Sequence, residues 1–182
     1  RIIFTGAAGG LGPGVRVGDV VIARELLQHD MDASPLFPRF EVPLTGRSHF
    51  DTDPALSGEL AIAALHCLNH AAERIGEAHL ADFGIDSPLL HEGLVISGDR
   101  FVSTAAESAT LRGLLPHALA VEMEGAALAQ VCADFGRPFA VIRTISDRAD
   151  DSAHVDFNRF IAEVASVYTR EIIGTWLAGR EG

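Results

Sequence analysis

Apolar positions along the chain fall into two rhythms: short unbroken runs, and longer stretches that repeat every three to four residues. The runs at residues 1–5, 89–97, 118–123 and 139–145 are rich in Ile, Val, Leu, Phe and Ala and read as buried strands. Residues 15–23 are strand-like around a turn at Gly18-Asp19. The helical rhythm governs residues 55–75. There Leu60, Ala64, Cys67, Leu68, Ala71 and Ile75 share one side and Glu59, His66, His70 and Glu73 the other, which predicts one long amphipathic helix. The same rhythm follows the N-cap residues Ser103 and Thr104 through about Leu115. It returns after Glu124, with Ala127, Leu128, Val131, Cys132 and Phe135 ahead of a stop at Gly136 and Pro138. A last helix carries Phe157, Phe160, Ile161, Val164, Tyr168, Ile172 and Trp176, with Asp156 near its start favouring the dipole. The small residues at 6–14 predict a loop that allows close backbone approach, and residues 29–40, continuing to about 54, an exposed, Pro-punctuated excursion.

Strands alternating with helices predict an α/β domain with a mostly parallel sheet covered on both faces. Ligands of such sheets collect at the carboxyl ends of the strands. Four predicted strand ends carry informative residues: the glycine-rich loop after Thr5, Phe101 after Gly98-Asp99, Glu122-Met123-Glu124, and Ser146-Asp147.

Composition narrows the chemistry. A chain of 182 residues, 48% hydrophobic and 21% charged, is long enough for one buried core. Its 25 acidic and 14 basic residues leave a net charge of −11, with the basic ones scattered singly, so nucleic acid is not an expected partner. Every basic residue is Arg, which removes Schiff-base lysine chemistry and the P-loop lysine. Cys67 and Cys132 lie within helical patterns and read as core thiols rather than a disulfide framework. No apolar run approaches the ~20 residues of a membrane helix, and the chain reads as cytoplasmic with no membrane partner.

The glycine-rich stretch is not a dinucleotide fingerprint, because the strand-like Val15-Arg16-Val17-Gly18-Asp19-Val20 follows where a helix would have to open. It is either a cradle for a flat heterocycle or ribose, or a packing turn. Glu122 and Glu124, two apart, would point to one side of an extended segment, where a carboxylate can accept two hydrogen bonds from a vicinal diol; a Glu at a helix start is also a simple dipole partner. Arg143 and Asp147 end one strand together, as a tunable acid and its cation or as a structural ion pair. His66 and His70 lack a third metal ligand, and His29-Asp30-Met31-Asp32 alternates sides, so no metal site is expected. Ser97, Ser103, Ser146 and Ser152 lack a Gly-x-Ser-x-Gly elbow, and nucleophilic Ser or Cys catalysis has no support.

Five blocks, in order, resemble the 5′-methylthioadenosine/S-adenosylhomocysteine nucleosidases of the purine nucleoside phosphorylase/nucleosidase superfamily. They are Thr5-Gly6-Ala7-Ala8-Gly9-Gly10-Leu11, Val17-Gly18-Asp19-Val20-Val21, Ser97-Gly98-Asp99-Arg100-Phe101, Ala120-Val121-Glu122-Met123-Glu124-Gly125-Ala126 and Ile142-Arg143-Thr144-Ile145-Ser146-Asp147. The resemblance implies a three-layer α/β sandwich around a mixed, largely parallel sheet, one nucleosidase domain over residues 1–182, a homodimer, an adenine nucleoside as the small-molecule partner, and no cofactor. Carried over by position, it implies Asp147 as the acid that protonates the leaving adenine at N7, with Ser146 holding it. Met123 and Glu124 would line the ribose, Glu124 taking the diol, while Phe101 stacks on adenine and the backbone of Val102 reads its edge. Glu122 and Arg143 would support the substrate, Ala8 and Gly9 lie beside the sugar, Phe157 close the site, and the Leu36-Phe37 region reach a partner's alkylthio pocket. Two departures stand out: the N-terminal segment that carries the family's water-activating glutamate has no counterpart, and Ala7 stands where members often have Ser. A purine nucleoside phosphorylase and an inactive nucleoside-binding fragment are the alternatives.

Overall fold

A computed structural model describes residues 1–149 and 157–180, so that Asp150, Ser152 and Asp156 lie outside the described residues. Six strands build the sheet: β1 (Ile2–Gly10), β2 (Val20–Gln28), β3 (His49–Asp51), β4 (Leu90–Ser97), β5 (Ala118–Glu122) and β6 (Phe139–Asp147). Around it lie α1 (Pro54–Asn69), α2 (Ala71–Ile75), α3 (Glu77–Asp82), α4 (Ala105–Leu114), α5 (Gly125–Asp134), α6 (Phe157–Phe160) and α7 (Ser166–Ala178).

The sheet is mixed and closes on itself. β2 pairs in parallel with β4, β4 with β5 and β1 with β6, whereas β5–β1 and β6–β2 are antiparallel. One edge of β2 is divided: Val20, Val21 and Ile22 meet β6 and close the ring, and Glu25, Leu26 and Leu27 meet β3. The expected α/β class with a central mixed sheet is met, but these pairings draw a barrel-like ring with helices outside it rather than an open sheet between two helical layers. Closure gives β1, β4, β5 and β6 a partner on both edges, along part of their length for β1 and β6.

That pairing also explains why residues 6–10 are strand and not the expected loop. β1 runs in register with β6 from Ile2↔Phe139 to Ala8↔Ile145 and with β5 at Gly9↔Val121, and two partner strands outweigh the poor strand propensity of glycine. The turn before β2 does form at Gly18, whose φ of +86° is one that L side chains rarely adopt. Its neighbour Asp19 is fully buried and accepts from the Arg16 and Leu89 N–H groups and from the His91 ring.

The long helix expected at 55–75 breaks at His70. The His70 ring N–H donates to the His66 carbonyl at 2.8 Å, the acceptor its own backbone N–H would use in a helix; that N–H turns to the Cys67 carbonyl instead. Asp53 caps the start of α1 with a 2.7 Å bond from the Leu56 N–H, and Pro54 occupies the first turn. The last helix is continuous as expected, with a π-helical turn over Ile161–Ala165 between α6 and α7. β3 and α3 were not expected. Leu56, Leu60, Phe160, Tyr168 and Ile172 are fully buried where α1 and α7 cover Val20, Ile22, Ala140 and Ile142 of the sheet. Each such aliphatic side chain contributes ~1.5–3 kcal/mol by leaving water. No described helix is long and apolar enough to cross a membrane.

Candidate active site

The ends of β1, β5 and β6, the segment after β4 and the start of the last helix surround a cavity of about 370 Å³. β1 supplies Ala7, Ala8 and Gly9; the segment after β4 supplies Arg100, Phe101 and Val102; β5 and its turn supply Val121, Glu122, Met123 and Glu124; β6 supplies Ser146 and Asp147; and the helix adds Phe157 and Ile161. The walls are mostly apolar and carry a few convergent carboxylates, the general make-up of a small-molecule site.

At the β6 end, the register with β1 slips by one residue: Ala8 pairs with Ile145, but Gly9 pairs with Asp147. Ser146 is the extra residue of this bulge, a device that re-aims side chains beside functional sites. Asp147, 6% exposed, accepts from the Ala149 N–H at 2.7 Å on Oδ1 and from the Ser146 hydroxyl at 2.8 Å on Oδ2. Gly9 makes the contact possible, because a Cβ there would sit 2.9 Å from Asp147 Oδ1 and 2.8 Å from the Ala149 Cβ. Ala149 holds a left-handed φ of +49°, and its carbonyl accepts from the Ser108 hydroxyl of α4.

At the β5 end, the two glutamates part company. Glu122 turns inward and is 6% exposed, while Met123 and Glu124 stay accessible to the cavity. Arg143 donates to Glu122 Oε2 from Nη2 at 2.6 Å and from Nε at 3.2 Å, and its guanidinium lies 4.3 Å from the Phe4 ring centroid. The Arg143 ion pair is therefore made with Glu122 and not with Asp147. Four residues along a strand rise ~13 Å, which takes the acid out of its reach. Arg143, 1% exposed, does not line the cavity.

The segment that carries Phe101 and Val102 is tied down from outside the site. The Asp99 N–H donates to Asp30 Oδ2 at 2.7 Å, the His29 N–H to the Ser97 carbonyl at 2.8 Å and the Gly98 N–H to the Glu122 carbonyl at 3.1 Å. Burial pushes the Asp30 carboxyl upward, but the Asp99 N–H, the Gln28 amide and the neighbouring His29 outweigh it and hold the group below its ordinary value. Burial keeps the His29 imidazole below its ordinary value against the pull of Asp30. The thiols are unsuited to nucleophilic work: burial pushes Cys67 up to about 11, with Glu171 adding to the shift and Arg74 opposing it, and burial raises Cys132 as well. Among the described residues, no group of three or more His, Cys, Asp and Glu could hold a metal ion.

Of the residues singled out in the sequence, Ala8, Gly9, Phe101, Val102, Glu122, Met123, Glu124, Ser146, Asp147 and Phe157 meet at this cavity. Phe37 does not line it and sits in a turn of the 29–48 excursion, its N–H on the Ala33 carbonyl at 3.2 Å, beside the 84% exposed Leu36. Arg100, Val121 and Ile161 were not anticipated as lining residues. Ile161 was readable, since it lies one helical turn beyond Phe157 on the same side.

The sequence model of the phosphorylase superfamily matches residues 1–175, which takes in the closed mixed sheet and the cavity at its strand ends. The chain belongs to that superfamily. Within it, the chain is similar to the 5′-methylthioadenosine/S-adenosylhomocysteine nucleosidase of Neisseria meningitidis, solved in complex with methylthio-immucillin-A (34% identity over 96% of this chain and 68% of that one, TM-score 0.78). It is also similar to the S-adenosylhomocysteine nucleosidase of Streptococcus pyogenes in complex with 5-methylthiotubericidin (30% identity, 97% and 66% covered, TM-score 0.74). A futalosine hydrolase mutant of Helicobacter pylori shares the fold as well (29% identity, 98% and 69% covered, TM-score 0.75). The chain thus spans about two thirds of the length of these relatives.

Proposed function

We propose that the protein hydrolyses the adenine N-glycosidic bond of 5′-methylthioadenosine and S-adenosylhomocysteine, releasing adenine and the 5-thioribose product. The observation that carries this reading is the placement of Asp147 and Glu124 at two strand ends of one apolar cavity, supported by the likeness to nucleosidases of that name. Cleavage of the bond builds positive charge on the ribose and negative charge on the purine, so an acid at one fragment and an anion at the other both favour the transition state.

In this reading Asp147 delivers a proton to N7 of the departing adenine, and Ser146 orients its carboxyl. The C1′–N9 bond breaks with its electron pair going to the purine, and water adds at C1′ and gives up a proton to solvent, from which the Asp147 carboxylate regains the one it delivered. Glu124 accepts the two ribose hydroxyls, Met123 packs on the sugar, Phe101 stacks on adenine, and the Val102 backbone reads the base edge. Ala8 and Gly9 leave room beside the sugar, and Phe157 closes the mouth. A second copy of the chain brings its Leu36-Phe37 segment to the alkylthio end, in a homodimer.

The test is adenine release from 5′-methylthioadenosine in phosphate-free buffer. Release without phosphate is expected. Release only when phosphate is added, with ribose 1-phosphate chemistry in the product, would overturn hydrolysis.

A further inference from the structure

An N-cap residue ordinarily spends its own side chain on the exposed N–H groups that open its helix. Glu124 is the N-cap of α5, yet its side chain makes no capping bond. Other residues do that work. Glu122 accepts the Gly125 N–H at 2.9 Å on both carboxylate oxygens and the Glu124 N–H at 3.2 Å, and the Ala126 N–H bonds to Ser97 Oγ at 2.8 Å. The Ser97 hydroxyl spends its proton on Glu122 Oε1, so one buried group, 3% exposed at the end of β4, serves both the helix and the carboxylate. Arg143 closes the set from the opposite side. Ser97 and Arg143 do not line the cavity; Glu124 does.

We infer that Ser97 is a positioning residue for the ribose end of the site, acting with Arg143 through Glu122 to cap α5 and so leave the Glu124 carboxylate free to face the cavity. Removing the Ser97 hydroxyl leaves the Ala126 N–H unpaired in a buried place, where such a group is costly, and takes from Glu122 Oε1 one of its two donors, the Gly125 N–H being the other. As the N-cap residue, Glu124 is placed to accept the Ala126 N–H, the second of its helix, with its own side chain. It would then cap its own helix and leave the diol. The inference rests on the reading above, in which Glu124 takes the ribose hydroxyls.

The test is a double-mutant cycle in binding, run on Asp147→Asn protein so that turnover does not consume the ligand. Dissociation constants for 5′-methylthioadenosine and for free adenine are measured by calorimetry for that parent, and for the same protein carrying Ser97→Ala, Glu124→Gln or both. Ser97→Ala is expected to weaken the nucleoside about tenfold and adenine less than about twofold, and to add almost nothing once Glu124→Gln is present. Equal loss for nucleoside and adenine, or the same loss with and without Glu124→Gln, would mean a merely structural hydroxyl and overturn the inference alone. A parent that binds adenine but not the nucleoside would overturn the reading above and the inference with it. Should Ser97→Ala fail to fold, Ser97→Cys goes through the same cycle, with the same two outcomes deciding.

Discussion

The two ends of the cavity are built by different means. The acid end is held by its own neighbours in sequence: Asp147 accepts from Ser146 on one side and from the Ala149 N–H on the other, over a β1 backbone cleared by Gly9. The sugar end is held from afar. Glu122, which orders the turn bearing Glu124, depends on Ser97 from β4 and Arg143 from β6, partners 25 and 21 positions away along the chain. A local clamp can be altered without disturbing the core, while a buried ionic cluster cannot, because a charge left without its partner in the interior is costly. Chemistry at the acid end should therefore separate cleanly from stability, and chemistry at the sugar end should not.

The largest effect that tests this contrast is at the acid. Asp147→Asn keeps the shape of the acid end, with the amide oxygen still able to accept the Ala149 N–H and the amide NH2 to donate to Ser146 Oγ, and removes the proton donor. Turnover of 5′-methylthioadenosine should fall ~10²–10⁴-fold, while the thermal midpoint stays within a few degrees of the parent. A loss of turnover that came only with a collapse in stability would mean that the acid end is no local clamp. Arg143→Met reverses the pattern. It strands Glu122 in the interior and should cost about 3–5 kcal/mol of unfolding free energy in a denaturant titration, with the nucleoside losing more affinity than free adenine. Unchanged stability would remove the distinction between the two ends.

The same contrast decides what could be read before the fold was known. Asp147, Glu124, Met123 and Phe101 were legible because strand ends announce themselves: an apolar run stops, and the polar residue at its end has few places to go but the rim of the sheet. The partner of Arg143 was not legible. Pairing it with Asp147 followed from closeness in sequence, and the answer lay in register, since β1 stands between β5 and β6 and Gly6 leaves room for the Arg143 side chain to cross over β1 to Glu122. The small residues at 6 to 10 misled for the same reason, suggesting a loop where two paired edges made a strand. The break at His70 escaped the periodicity because a side chain, not a missing apolar position, ended the helix. β3 escaped because three residues with one buried Phe50 carry no pattern until β2 offers an edge.

Gly9 gives a sharper and smaller probe. In Gly9→Ala the new Cβ falls 2.9 Å from Asp147 Oδ1 and 2.8 Å from the Ala149 Cβ, so the acid must shift by several tenths of an ångström. Misplacement of a reacting group by about 1 Å costs ~10²-fold in rate. A drop in kcat of that order or below is expected, larger than any rise in the KM for 5′-methylthioadenosine, because the new Cβ presses on Asp147 and Ala149. An equal rise in KM would show that the two ends move as one body.

The smallest effect probes a long-range support of the acid end. Thr104 caps α4 through the Glu107 N–H at 3.2 Å, and Ser108 of that helix donates to the carbonyl of Ala149. Thr104→Ala should cost ~1 kcal/mol of stability, the usual price of a lost helix cap. Fraying begins at the first turn, and Ser108 lies at its end, its N–H bonded to the Thr104 carbonyl. A loosened Ser108 would release Ala149 from the left-handed φ it now holds, and with it the N–H that Asp147 accepts. A local clamp predicts that kcat stays within about twofold, since Ser146 and the β1 backbone still hold the carboxyl. A fall in kcat larger than the stability loss accounts for would place α4 in the support of the acid, and the acid end would then depend on distant chain as the sugar end does.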